Sequence, residues 1–163
     1  MPAADLQALF AAARAQLTDA PQEALGVQRA PGRLLRRSPR ITPAGSAWRV
    51  GALLLVPDGD VLAVGDVLRA APEVRRGYSA ESARARAASR AAAARGGFRP
   101  GETVHVGWQR LDLDAVARGE ASGPLRVVDG TPMIRWSSAG ALMPLDAYLR
   151  DRVALLLAPP EGA

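Results

Sequence analysis

The sequence EVRRGYSAESARARAASRAAAARGGFRPGETVHVGW, residues 73–108, contains the clearest helix signal, the single histidine and seven of the 21 arginines of the chain. Alanine, the strongest helix former, dominates residues 80–95, which include no glycine or proline. Ser79 can cap the start of the helix, and Gly96-Gly97 can supply the left-handed residue that ends it. We therefore expect a helix over residues 80–95 whose alanine face packs on a sheet.

A strand is predicted directly after this helix, because residues 103–108 alternate in polarity. Val104, Val106 and Trp108 share one face, which suits a hydrophobic core. His105 points to the opposite face, where it is either exposed or covered by a second layer. A structural role for this histidine and a functional role both stay open.

The chain has 163 residues, which predicts a single domain over residues 1–163, with a connector at 19–32 and a frayed tail at 158–163. It contains no cysteine and one histidine, which argues against disulfides and against Cys- or His-based metal sites. We predict no metal, no cofactor and no catalytic residue. The absence of a signal core and of an apolar run of about 20 residues predicts a cytoplasmic protein without membrane contact.

The predicted fold is α+β, with a mixed, mostly antiparallel sheet of five to six strands. The central Ala/Arg-rich helix covers one face, and N- and C-terminal helices provide further cover. The tryptophans at 48, 108 and 136 are expected in the core. The further elements are helices at 3–18 and from Pro144, strands at 33–41, 48–56 and 61–69, and a hairpin of 125–128 with 132–136 around Asp129-Gly130.

Two strand placements follow from local chemistry. Pro39 and Pro43 restrict the strand at 33–41 to a sheet edge, because proline cannot donate a ladder hydrogen bond. The strand at 48–56 is apolar on both faces and is expected at the centre. If strands 61–69 and 103–109 pair in parallel, the helix between them is a right-handed crossover.

All basic residues are arginine, because the chain has no lysine. Residues 24–57 contain six arginines and no acidic residue, whereas the rest of the chain has 15 arginines and 16 acidic residues. This basic segment is either a binding surface or a solvated arm, and a high-GC genome would also explain the arginine excess. The predicted basic patch consists of Arg29, Arg33, Arg36, Arg37, Arg40 and Arg49.

A second candidate site lies at the start of the central helix. Arginine can bind a carboxylate or phosphate with two hydrogen bonds, and functional residues often lie at loop–helix junctions. No nucleophile elbow or glycine-rich phosphate loop is present, so binding is a better hypothesis than catalysis. The predicted ligand-binding residues are Arg75, Arg76, Tyr78, Ser79, Glu81, Arg84 and His105.

Four motifs resemble a largely uncharacterised family of short proteins from high-GC bacteria, some of which carry the name glutaminase. They are Trp48-Arg-Val-Gly-Ala-Leu-Leu-Leu, Arg75-Arg-Gly-Tyr-Ser-Ala-Glu-Ser, Arg95-Gly-Gly-Phe and Val104-His-Val-Gly-Trp-Gln. The resemblance implies an amidohydrolase as an alternative function. It assigns no catalytic residue, because the serine-dependent glutaminases use a Ser-x-x-Lys pair and this chain has no lysine.

Three functional hypotheses follow. The first is a non-catalytic α+β module that binds an anionic small molecule or protein partner through its arginine-rich segments, with nucleic acid as a sub-case. The second is a small amidohydrolase acting at Tyr78, Ser79, Glu81 and His105. The third is an assembly subunit, including a homo-oligomer.

Overall fold

A computed structural model of the chain describes residues 3–30, 38–74 and 80–159. These ranges contain four helices: α1 Ala3–Gln16, α2 Glu81–Gly96, α3 Leu113–Ala117 and α4 Leu145–Leu157. They also contain ten strands: β1 Glu23–Arg29, β2 Arg40–Val50, β3 Leu53–Leu55, β4 Val61–Ala63, β5 Asp66–Arg69, β6 Thr103–Val106, β7 Gln109–Arg110, β8 Leu125–Val128, β9 Thr131–Arg135 and β10 Leu142–Pro144.

Seven strands form one mixed sheet in the order β5-β6-β1-β2-β3-β4-β7. Its pairs are antiparallel except β1 with β6, which is parallel. A second, antiparallel sheet has the order β10-β9-β8. The predicted α+β class with a mixed, mostly antiparallel sheet is confirmed, and the number of strands is higher than the five to six expected.

The chain divides into two compact units. The single domain expected from the sequence stays a prediction. The terminal unit comprises Met1–Gln22, Trp48–Ala63 and Gln109–Ala163. The arginine-rich unit comprises Glu23–Ala47 and Val64–Trp108. Strand β2 contributes residues to both units. Among the described residues, no helix has both the length and the apolar character that a membrane crossing requires.

The core of the terminal unit forms around the two terminal helices. Leu6 and Phe10 of α1 and Leu149 of α4 are buried with residues of β2, β3 and the three-stranded sheet. Arg14 on α1 donates hydrogen bonds of 2.7–2.8 Å to three carbonyl groups of the β3–β4 turn, those of residues 56, 59 and 60. The turn is therefore held to the helix by a partly buried guanidinium.

The core of the arginine-rich unit is smaller and lies between α2 and the sheet. Ala92 and Ala93 of α2 pack with Ile41, Phe98 and Val104. The predicted alanine stripe is buried only in the C-terminal half of the helix, from residue 91 onward. Residues 81–90 are exposed or half-buried, so the first half of α2 has little apolar packing.

Glycines account for the close contact between α2 and β2. A Cβ atom on Gly96 would overlap the backbone carbonyl of Ile41, and one on Gly26 would overlap the side chain of Ile41. Gly97, with φ of 111°, is the left-handed residue that ends α2. Of the two glycines predicted to end the helix, Gly97 therefore does so, whereas Gly96 allows the backbone contact.

Two long strands predicted from apolar runs are each divided at a glycine. Gly51, with φ of 62°, turns the predicted strand 48–56 into a hairpin of β2 and β3. Strand β4 ends before Gly65 and β5 begins after it, and a side chain at Gly65 would overlap the backbone of Val106 and Gly107. The sequence predicts an interruption at Gly65-Asp66, whereas apolar periodicity did not reveal the break at Gly51. The two breaks account for part of the higher strand count.

The pairing of three segments also differs from expectation. The predicted connector 19–32 contains strand β1, in which Leu25 is buried. The condition for a right-handed crossover between 61–69 and 103–109 is not met, because β5 and β6 are antiparallel and β6 is parallel to β1. The strand expected at 33–41 appears as β2 from Arg40 onward, and residues 31–37 lie outside the described residues.

Local predictions near helix and hairpin ends have mixed outcomes. The hairpin around Asp129-Gly130 is confirmed as β8 and β9. The N-cap position of α2 is Ala80, without a side-chain hydrogen bond, and Ser79, the predicted cap, lies outside the described residues. Trp48 is buried, but Trp136 is 48% exposed at the end of β9 and is not a core residue.

We predict that Gly96→Ala destabilises the protein, although glycine to alanine inside a helix normally stabilises by about 0.5–1 kcal/mol. The added Cβ would overlap a backbone oxygen that cannot rotate away, so we expect a loss of about 1–3 kcal/mol. Urea unfolding would measure it. Ser82→Ala, on the exposed half of the same helix, is the control and should not destabilise; a Gly96→Ala protein at least as stable as wild type would contradict the backbone contact.

Candidate functional site

The structure describes three of the seven residues predicted at the start of α2. Glu81 and Arg84 are exposed in its first turn, and His105 is fully buried on β6. Residues 75, 76, 78 and 79, which are the predicted Arg75, Arg76, Tyr78 and Ser79, lie outside the described residues. The exposed alternative for His105 is therefore wrong.

His105 makes its contact with strand β1. The Glu23 carboxylate accepts a hydrogen bond from Nε2 of His105, and the two strands pair in parallel at this point. The Glu23 side chain is about one-third exposed, whereas His105 has no exposed surface. Nδ1 of His105 is buried without a hydrogen-bond partner among the described residues.

His105 and Glu81 are not brought together. Val104, which precedes His105, packs against the alanines of α2. Because successive side chains of a strand point to opposite faces, His105 points to the face that α2 does not cover. The described part of the proposed Tyr78, Ser79, Glu81 and His105 cluster therefore does not form one site.

The predicted basic patch is brought together in part. Arg29 and Arg40 lie directly opposite each other on the antiparallel strands β1 and β2, and both are exposed. Neither forms a salt bridge with a described residue. Like charges directly opposite in a sheet destabilise it, so this pair costs free energy in the free protein. Arg49 belongs to the terminal unit, and Arg33, Arg36 and Arg37 lie outside the described residues.

Arg95 on α2 contacts two distant segments of the chain, one directly before β2 and one after β5. Its Nη2 donates to the carbonyl of Pro39 at 3.1 Å, and its Nη1 lies 3.4 Å from Oε2 of Glu73. Pro39 directly precedes Arg40 on β2. Among the described residues, no other arginine of the arginine-rich unit forms a salt bridge with a carboxylate.

Charge is distributed unequally between the two units. The arginine-rich unit contains thirteen arginines and five acidic residues, a formal charge of +8. The terminal unit contains eight arginines and eleven acidic residues, a formal charge of −3. The net +5 of the chain therefore arises entirely in the unit that contains α2. Its exposed described arginines are Arg29, Arg40, Arg69, Arg84, Arg86, Arg90 and Arg99.

The exposed arginines of the arginine-rich unit lie on an open surface and do not surround a large pocket among the described residues. A cavity beside Arg95, also lined by Gln28 and Ser89, has a volume of about 140 Å³. Small-molecule pockets usually have about 300–1,000 Å³, so this one is small for a metabolite. Among the described residues, no group of three or more His, Cys, Asp or Glu side chains could hold a metal ion.

Sequence reasoning missed Glu23 because its partner is 82 residues away. The parallel pairing of β1 and β6 creates this contact, and no local pattern indicates which strands will pair. Arg29 and Arg40 are closer to each other in the sequence than Glu23 and His105. They belong to the segment of six arginines without an acidic residue, which predicted a basic surface in this region. The direct opposition of the two side chains required the strand register.

Comparisons with known proteins found no matching family model, no matching curated protein and no matching solved structure. The resemblance to short proteins of high-GC bacteria therefore stays a prediction.

We predict that Glu23→Ala lowers the free energy of unfolding by about 1–3 kcal/mol, because it leaves Nε2 of buried His105 without an acceptor. Glu23→Gln should cost less, since the amide oxygen can still accept. Glu120→Ala, which removes an exposed carboxylate paired with Arg118, serves as the control and should change stability by less than about 1 kcal/mol. Equal stability of all three variants in urea unfolding would refute a structural role for the pair.

Proposed function

We propose that this protein is a non-catalytic binding module that holds an anionic partner against the exposed arginines of its arginine-rich unit. The observation that carries the proposal is the Arg29–Arg40 pair, two facing cations without a carboxylate among the described residues. An anion placed between them would remove their repulsion and accept hydrogen bonds from both guanidinium groups. Binding would therefore remove a charge repulsion that destabilises the free protein.

The open distribution of the arginines favours an extended partner over a small metabolite. Exposed arginines lie on β1, β2, β5 and α2, and the nearby cavity is small. Electrostatic binding over a surface gives fast association and depends strongly on salt. An acidic protein surface meets these conditions, and nucleic acid remains a sub-case. The cytoplasmic location predicted from the sequence is part of this proposal.

The amidohydrolase alternative receives no support from a particular contact. His105 is fully buried and bonded to Glu23, and Glu81 belongs to the helix that covers the other face of the sheet. A general base must come within hydrogen-bond reach of the group it deprotonates, and the described residues place no hydroxyl there. We therefore retain the binding module as the proposal.

We predict that Arg29→Ala/Arg40→Ala weakens binding to labelled poly-glutamate and to a short DNA duplex by roughly tenfold at low salt. For the duplex, the slope of log affinity against log salt should fall by about 2 if both arginines contact phosphates. Fluorescence anisotropy over a salt series measures both quantities, and the two probes separate a protein partner from nucleic acid.

The matched control is Arg118→Ala/Arg135→Ala, which removes two exposed arginines from the terminal unit. This variant should bind the probes almost as well as wild type, although its net charge is equally reduced. If both double variants lose affinity equally, binding reflects net charge alone and the proposed surface is wrong. If wild type binds neither probe, the proposed function is wrong.

A further inference from the structure

A groove runs between helices α1 and α4 of the terminal unit. It consists of two adjoining cavities of about 540 and 320 Å³, which share Leu9, Ala12 and Asp146. Its floor is mainly apolar, with Ala8 of α1 and Val153 of α4. The turn between β8 and β9 closes one end. Each cavity has the size of an ordinary ligand pocket, but no function considered above uses the groove.

Two carboxylates, Asp5 and Asp146, and one arginine, Arg150, line this groove. Asp5 and Asp146 both line the larger cavity. Asp146 forms a 3.5 Å salt bridge with Arg150, whereas Asp5 has no salt bridge among the described residues. An apolar floor beside two carboxylates matches a cationic segment with apolar stems better than it matches an anion or a neutral chain.

The arginine-rich unit presents a segment of this chemistry. Residues 81–90 of α2 are exposed or half-buried, and the helix has no side-chain cap at Ala80. Arg84 and Arg86 are exposed there, and neither contacts a described carboxylate. A helix end without a cap or apolar packing is weakly stabilised, so a partner that covers it would stabilise it.

We infer that the α1–α4 groove binds residues 81–90 of α2 from a second copy of this chain. This inference rests on the proposed function, since it makes the acidic terminal unit of one copy the anionic partner of the arginine-rich unit of another. The groove lining, with Asp5, Asp146 and Arg150, has a formal charge of −1. Residues 81–90, with three arginines and Glu81, have a formal charge of +2, so the two surfaces are complementary.

Arg84 and Arg86 project to opposite sides of α2, because positions two apart on a helix lie about 200° apart. Their methylene stems would therefore cover opposite walls of the groove, with one guanidinium group near Asp5 on α1 and the other near Asp146 on α4.

The two surfaces of this contact differ, so each copy still has one free groove and one free helix after pairing. Such contacts close into a ring or continue as an open chain. The protein should therefore self-associate as concentration rises, and the association should weaken with salt. Sedimentation velocity over a concentration series at low and high salt measures both effects. A monomer at every concentration at low salt overturns the inference.

Charge variants identify the surfaces involved. Asp5→Asn/Asp146→Asn and Arg84→Gln/Arg86→Gln should each weaken self-association by roughly tenfold. Asp19→Asn/Glu120→Gln removes two exposed carboxylates of the same unit that do not line the groove, and it should associate like wild type. Equal effects of the groove variant and this control would overturn the inference.

A charge exchange gives the sharpest test. Asp5→Arg/Asp146→Arg and Arg84→Glu/Arg86→Glu should each be monomeric alone. An equimolar mixture should associate, because the reversed groove pairs with the reversed helix and the wild-type helix of the first variant pairs with the wild-type groove of the second. A mixture that stays monomeric would overturn the contact. If wild type binds poly-glutamate but stays monomeric, only this inference is rejected. If the protein self-associates through the groove but Arg29→Ala/Arg40→Ala does not change poly-glutamate binding, only the Arg29–Arg40 surface is rejected.

Discussion

The arginine-rich unit depends on the close approach of α2 to the backbone of Ile41 on β2. Gly96 has no side chain where the Ile41 carbonyl lies, so helix and strand meet at backbone distance, and Gly26 on β1 leaves room for the Ile41 side chain. The small core of this unit then needs only alanines from the helix, because larger side chains would hold α2 away from the sheet. With so little apolar area available, only the second half of α2 is buried, and its arginine-bearing first half remains at the surface.

The Glu23–His105 pair provides a hydrogen bond for a buried polar side chain in the same sheet. A fully buried imidazole needs a partner for its polar atoms, and the parallel pairing of β1 with β6 brings a carboxylate to Nε2. This pairing also sends His105 to the face opposite α2. The same strand register therefore stabilises the histidine and separates it from the exposed residues at the start of the helix.

The separation of charge follows from how the chain is divided between the two units. Arginines concentrate in residues 24–40 and 69–99, and both ranges belong to the arginine-rich unit. The terminal unit contains the acidic turns and the first turns of α1 and α4, where carboxylates interact favourably with helix dipoles. One basic surface and one groove with two carboxylates result, and this separation of charge connects the proposed function with the proposed self-association.

Local chemistry was sufficient to predict the α+β class, the central helix, the β8–β9 hairpin and the position of the basic segment, because alanine runs, turn residues and arginine clusters act within a few residues. The tertiary structure decided the rest. Gly51 divided a strand that looked continuous from the sequence, since its effect depends on a positive backbone torsion. The tertiary structure also placed Arg29 opposite Arg40 and Glu23 beside His105. Strand register and pairing depend on which segments meet, and local periodicity does not encode them.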